Sequence, residues 1–284
     1  MRTLKTGFLL TLLTLILVFG GEALGGSQGM TFGLILAVIM NGGAYFFSDK
    51  IALASSGARP VSREQAPRLY AVMERLAAKG NLPMPKLYII PQAAPNAFAT
   101  GRNPSHASVA ATEGLLELMN DDELEGVIAH ELSHVRNYDI LTTSIAATLA
   151  GAISWIGYIG RWGLLLGGYG GDRDRRGGGL EALLMLIVAP IAAMLIQLGI
   201  SRQREYAADA AGARLVGHPY GLISALEKLG AYNKQIPMTN VTPATSSLYI
   251  VRPLSAGQLF AGLFSTHPPL PQRIEALRRM TVTR

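Results

Sequence analysis

Four runs without a single charged side chain set the frame for this chain. They are residues 6–20 (TGFLLTLLTLILVFG), 30–47 (MTFGLILAVIMNGGAYFF), 140–160 (ILTTSIAATLAGAISWIGYIG) and 182–200 (ALLMLIVAPIAAMLIQLGI). With their flanks, the first two approach the roughly 20 residues that carry a helix across a bilayer. Globular helices normally set an apolar face against a charged one, so a soluble core accommodates such runs poorly. A cleaved leader competes for the first run, because Arg2 and Lys5 precede it and small residues follow. The second run, arriving at once after GEALGG, favours a retained hairpin. Pro190 is tolerable in a membrane helix, where neighbours satisfy the freed carbonyl.

Charge supports this frame. The 284 residues are 49% hydrophobic and only 15% charged, where soluble domains run nearer a quarter. The net charge of +6 forms no clustered basic stripe with interleaved aromatics, so no nucleic-acid partner is expected. Arg2 and Lys5 precede the first span, Lys50, Arg59, Arg63 and Arg68 follow the second, and Glu22 alone is charged between them. Both ends of the first hairpin therefore face the cytoplasm. The second hairpin is ambiguous, because its loop carries Arg161, Arg173, Arg175 and Arg176 against Asp172 and Asp174. It either crosses fully or dips into the bilayer. No ionisable residue lies within the four runs, which argues against a transporter or channel. The chain has no cysteine, so a protein-bound metal needs His, Asp or Glu ligands.

Between the hairpins the pattern is that of a small α+β unit. VSREQAPRLYAVMERLAAKGN reads as a helix, with Ser62 and Gln65 as a capping box, Leu69, Val72, Met73 and Leu76 as its apolar stripe, and Gly80 as its stop. PKLYII, PNAFATG and HASVAAT read as strands, the last two separated by the turn RNPS. NDDELEGVIAHELSHVRNYD follows as a second helix, capped by Asn120 or Asp121, with an acidic first turn suited to the helix dipole.

That helix carries HELSH. Its spacing puts His130 and His134 one turn apart on one face, with Glu131 beside them. A helical histidine pair can also be the polar edge of a core, so a metal site needs a third ligand. ISRQREYAADAAGARLVG, beyond the second hairpin, offers Glu205 and Asp209 at i and i+4 on a helix whose small residues Ala208, Ala211 and Ala213 permit close approach. Glu205 could instead be a surface charge beside Arg202, and Asp209 an exposed helix charge. Burying two unpaired carboxylates is costly, and a cation offsets that cost. Bringing both halves together requires the intervening chain to enter the membrane and return, which two apolar runs allow.

HELSH, RQREYAAD at 202–209, PNAFATG at 95–101 and THPP at 266–269 together resemble the HtpX heat-shock membrane metalloprotease family, which is related to the CAAX prenyl endopeptidase. The resemblance covers essentially the whole chain, although the arginine-rich loop at 172–176 maps onto no functional feature of the family. It implies a gluzincin, a zincin whose third ligand is a glutamate on a second helix. One Zn²⁺ per chain would be held by His130, His134 and Glu205, with Glu131 as general base toward water and Asp209 accepting a hydrogen bond from a ligand imidazole. It also implies that His267 stabilises the oxyanion and that Asn96 holds substrate backbone at a strand edge. The simpler readings are a helix-start histidine and a turn residue after Pro95. His106 and His218 read as structural.

The expectation is an α+β zincin domain with a small sheet, attached to four transmembrane or membrane-embedded helices. Residues 1–50 form the first hairpin, 51–139 the first half of the protease domain, 140–200 the second hairpin, and 201–284 the second half with the third ligand. The activity implied is zinc-dependent cleavage of unfolded or misfolded proteins at the bacterial inner membrane, with the site facing the cytoplasm. A prenyl-protein endopeptidase and a catalytically inactive membrane scaffold remain as alternatives.

Overall fold

The computed structural model of the chain describes residues 2–149, 202–232, 248–251 and 268–280. The loop at 161–179, the fourth apolar run, the end of the third and His267 lie outside the described residues.

The first helix, α1 (Arg2–Ser55), is broken at Gly25 and Gly26 into two arms. Gly26 sits at φ +60°, ψ −144°, a conformation open to glycine and hostile to side chains. The arms then pack backbone to backbone: a Cβ on Gly21 would lie 2.2 Å from the Gly29 carbonyl oxygen, and one on Gly33 2.2 Å from that of Leu17. Small residues at such a seam are what helix pairs use where the hydrophobic effect supplies no drive. Farther along, the Asn41 amide donates to the Leu10 carbonyl at 3.2 Å and to Thr14 Oγ1 at 2.8 Å, closing the hairpin with polar bonds. Phe8, Phe19, Phe32, Val38, Ile39, Phe46 and Phe47 point outward and are exposed.

Of the four membrane helices expected, the second arm, Gly25–Ser55, is long and apolar enough to cross a bilayer, with 31 residues and a mean hydropathy of 1.7. The first arm's apolar part, Thr6–Glu22, is shorter. The third run is described as far as residue 149 and begins as a helix, α5 (Asp139–Leu149).

Four strands follow α1: β1 (Arg59–Pro60), β2 (Lys86–Ile90), β3 (Ala97–Gly101) and β4 (Ala107–Thr112). Their order is β1-β2-β4-β3, with β4 parallel to β2 and antiparallel to β3, in register Leu87 opposite Val109 and Phe98 opposite Ala110. Alternation along the strands serves two cores rather than a core and solvent. Leu87, Ala97, Ala99, Ala107, Val109 and Ala111 face the main core. Ile90, Phe98 and Ala110 face a second cluster completed by Ala52 and Leu53 from the foot of α1, Ala147 of α5, and Leu248 and Tyr249.

Helix α2 (Pro67–Lys79) buries Leu69, Val72, Met73 and Leu76, the stripe expected from sequence, but starts five residues after Ser62. Proline at 67 disfavours a helical conformation at Ala66, which sits at φ −137°, ψ 57°. Ser62 and Gln65 instead close a turn, the Ser62 N–H donating to Gln65 Oε1 at 2.9 Å. The two-residue β1 and the short α3 (Glu113–Leu118), capped by Thr112, were not anticipated.

Helix α4 (Asp121–Arg136) begins at Asn120, whose side chain and that of Glu123 satisfy each other's backbone N–H at 2.9 Å. It lies between β3, α2, α6 (Arg202–Val216) and α7 (Tyr220–Tyr232), while α8 (Leu270–Arg278) closes over α6 and α7. Leu124, Val127, Ile128, Leu132 and Val135 are fully buried, each worth about 1.5–3 kcal/mol of hydrophobic stabilisation. Ser224 and Lys228 of α7 donate to Glu123, at 2.5 and 2.7 Å, and fasten the start of α4.

Glycines set how closely these helices meet. A Cβ on Gly126 would lie 2.5 Å from the backbone nitrogen of Leu222, whereas one on Gly230 meets only the movable Leu270 Cδ1 at 2.9 Å. Gly126→Ala is therefore expected to cost about 1–3 kcal/mol. Gly230→Ala is expected to be neutral or stabilising by up to about 1 kcal/mol. Thermal unfolding of both variants in detergent checks the contrast; equal midpoints would show that the α4–α7 contact is looser than this spacing.

Candidate metal centre

The two turns of α4 that carry HELSH sit at the centre of the domain, and α6 passes beside them. Gly212 of α6 makes the approach possible, because a Cβ there would already lie 3.0 Å from the His130 nitrogen. About two helical turns before Gly212, Glu205 is delivered to the imidazole pair. The His130 and His134 Nε2 atoms are 3.2 Å apart. Glu205 Oε2 lies 3.8 Å from the first and Oε1 3.6 Å from the second. Two donors each about 2.0–2.1 Å from a tetrahedral ion stand about 3.3 Å apart, so the pair has the spacing of shared ligands. His130, His134 and Glu205 together could hold a metal, their donor atoms all lying within 4.8 Å of one another.

Around this trio the far sides of the rings are also engaged. Asp209 Oδ1 lies 2.8 Å from His130 Nδ1, as the i+4 spacing from Glu205 suggested. Asp139 Oδ2 lies 3.5 Å from His134 Nδ1. It is brought there by a reversal after α4 in which Tyr138 takes φ +58°, and Arg204 stands 3.6 Å from its other oxygen. Arg273 of α8 has no exposed surface. It donates to both oxygens of Asp209, at 2.8 and 2.6 Å, and to the Ile250 carbonyl at 2.9 Å. Its Nη1 lies 3.9 Å from Glu205 Oε2. Burial opposes the charge on Asp209, but the guanidinium holds its carboxyl well below the usual carboxylate range. The two therefore stay ionised as a pair.

Glu131 is buried and lines the same pocket as the trio, beside Ala99 of β3. Burial pushes its carboxyl up, against the opposing influence of His130 and His134. Burial also opposes charge on His134, yet the Asp139 hydrogen bond and the Glu205 and Glu131 carboxylates outweigh it and raise that imidazole to about 9.

Asn96 is fully buried rather than at an open edge. Its Nδ2 donates to the Val251 carbonyl at 2.7 Å and its Oδ1 accepts the Val251 N–H at 3.3 Å, so in this structure it holds backbone belonging to this chain. His106 accepts or donates within its turn to Asn103, and His218 stacks on Tyr220; neither is near the centre.

The matches to known proteins agree with this geometry. The model of peptidase family M48 matches residues 63–281. The chain belongs to peptidase family M48. A "Protease HtpX homolog" from Syntrophotalea carbinolica is 54% identical over 282 residues, spanning 99% of this chain and all of that one. Another with the same description, from Pyrococcus furiosus, is 50% identical over 98% of this chain and 96% of its own. The crystal structure of Ste24p from S. mikatae shares the fold, with a TM-score of 0.52 at 21% identity over 93% of this chain. The chain spans 62% of that larger structure's length. As a member of this family the protein is a metalloprotease that acts on protein substrates.

Three elements around the candidate centre escaped sequence reading: Arg273, Asp139 and the stretch 248–251. Asp139 follows HELSH so closely that it reads as a helix-end residue, and Arg273 sits in PQRIEALRR, where it looks like one more surface cation. Arg273→Met is expected to cost about 3–5 kcal/mol, because it leaves the Asp209 carboxylate buried without its partner. Arg278→Met, whose exposed pair with Glu227 is 2.8 Å long, is expected to cost under about 1 kcal/mol. Denaturation midpoints measure both, and equal losses would place Arg273 among ordinary surface charges.

Proposed function

We propose that this protein is an integral membrane zinc endopeptidase that cleaves misfolded or damaged proteins, with its active site on the cytoplasmic side of the bacterial inner membrane. The observation that carries the reading is one buried pocket shared by the His130–His134–Glu205 donor set and the Glu131 carboxylate. Two imidazoles and one carboxylate, with no thiolate in the chain, suit a borderline cation such as Zn²⁺ and leave it a net positive charge. When bound there, such an ion supplies Lewis-acid polarisation of a carbonyl and acidifies water. The protease domain is assembled from 51–139 and 201–284, around membrane-embedded hairpins at 1–50 and 140–200.

Each protein group has a distinct task in that reaction. Glu131 takes the proton of the attacking water and passes it to the leaving amine, a transfer worth about 10²–10⁴ in rate. Asp209 and Asp139 face His130 and His134 through the ring nitrogens remote from the donor set, which keeps Nε2 available as the ligand atom. Asn96 pairs with substrate backbone, and His267 faces the oxyanion by family resemblance. The backbone character of the recognition supports broad cleavage of unfolded chains.

Glu131→Gln is expected to keep about one equivalent of zinc while casein cleavage by the detergent-purified protein falls at least about a hundredfold. Cleavage equal to that of the unmodified protein would remove Glu131 from the mechanism. The raised His134 value has a second consequence. Below about 9 the metal-free imidazole carries a proton that a metal must displace. Loading zinc at pH 7 is then expected to release about one proton, and zinc affinity to climb with pH until that value is passed. Titration calorimetry in buffers of different ionisation enthalpy reads the proton directly; zero release would mean that His134 is neutral before the metal arrives.

A further inference from the structure

By strand order β3 is the outermost strand of the sheet, yet its edge is covered. Leu248, Tyr249, Ile250 and Val251 lie along its first half. The Ile250 N–H donates to the Ala97 carbonyl at 3.0 Å. Asn96 grips Val251 at both its N–H and its carbonyl. Arg273 Nη1 donates to the Ile250 carbonyl, and the Tyr249 ring stands edge-on to Phe98 with centroids 5.2 Å apart. With 251 beside 96, 250 beside 97 and 249 beside 98, the segment passes β3 in the opposite sense, as a turn and bends rather than as a fifth strand. The next residue of β3, Ala99, lines the metal pocket together with Glu131 and Leu248.

Two properties of this contact bear on function. Every polar contact named here is to the segment's backbone, so any extended peptide offers the same groups to Asn96, Ala97 and Arg273. Leu248, Tyr249 and Ile250 also line the pocket that holds His130, Glu131, His134 and Glu205, where they leave a cavity of ≈ 30 Å³. That is room for about two water molecules and not for a polypeptide. A peptide substrate and the segment therefore exclude each other.

We propose that residues 248–251 are an internal competitor seated in the peptide groove of the metal centre, with Leu248, Tyr249 and Ile250 on the wall of the pocket that Glu131 also lines. Asn96, Ala97 and Arg273 are the backbone clamp that a substrate takes over when the segment leaves. The proposal rests on reading His130, Glu131, His134 and Glu205 as the peptidase centre. The fraction of molecules with an open groove multiplies the apparent affinity for substrate and leaves turnover of the bound complex untouched.

The test uses the full-length, zinc-loaded protein in detergent and a quenched fluorescent peptide derived from casein, with kcat and KM determined separately. Ile250→Pro deletes the N–H that bonds Ala97; KM is expected to fall about tenfold with kcat held and bound zinc unchanged. Tyr249→Ala keeps every backbone donor and loses the buried ring packed on Phe98 and its cluster; KM is expected to fall about threefold. It carries the test if the proline variant does not fold. A KM unchanged or raised, or a lower kcat, in a variant that keeps its zinc and its unfolding midpoint overturns the proposal and makes the segment a fixed wall of the pocket. If the unmodified protein and both variants hold zinc and none cleaves any peptide, the peptidase reading itself falls, and this inference with it.

Discussion

A guanidinium with no exposed surface is the fixed point of this structure. An isolated charge in the interior costs several kcal/mol, so Arg273 has to be met from several sides. The two oxygens of Asp209 and the Ile250 carbonyl meet it, and through Asp209 it reaches His130. Residues from α4, α6, α8 and the 248–251 stretch, separated by up to 143 positions, are thereby tied at one place. The trio that could hold a metal is a by-product of that convergence. Glu205 lies one turn before Asp209 on the same face, so docking one carboxylate on the guanidinium presents the other to the imidazoles.

The same convergence explains the small residues around it. Helix α4 can be approached from two sides only because Gly212 and Gly126 leave its backbone accessible to α6 and α7. The sheet obeys a related rule. Strands β3 and β4 are rich in alanine because both of their faces are covered, one by α4 and the main core, the other by the foot of α1. Hydrogen bonds from Thr100 to Ser144, 2.7 Å long, and from Thr6 to Thr142, 3.1 Å long, extend that second contact along α5. The span helix and the peptidase domain are thus one packed body at β3, and the hydrophobic hairpin contributes to the inner architecture of the domain as well as to its membrane attachment.

Much of this was legible in the order of residues. The hairpin, the stripe of α2, three of the four strands and the full extent of α4 follow from local signals: apolar runs, period, caps and turn residues. The donor set followed from the combination of HELSH with a later carboxylate on a helix of small residues. What stayed hidden depends on distance. The start of α2 was displaced because the steric effect of Pro67 on Ala66 outweighed the capping pattern at Ser62 and Gln65. Arg273 and Asp139 gain their meaning only from neighbours that the fold supplies, and nothing in PQRIEALRR distinguishes the buried arginine from Arg278 and Arg279 beside it. Asn96 was expected to hold substrate backbone at a strand edge; that it is buried and bonded to residue 251 is a fact of tertiary structure alone.

The two-sided cover of β3 also limits the shape of what this protein can work on. Phe98 is roofed by Ala52, Leu53 and Tyr249, while Ala97 and Ala99 rest on the main core, so among the described residues the approach to β3 is along the edge where 248–251 lies. An edge approached between two covered faces suits a single extended chain better than a helix, whose diameter with side chains is about 10–12 Å. On the function proposed above, the site would act as a thickness gauge, taking a segment only after it has lost its own secondary structure.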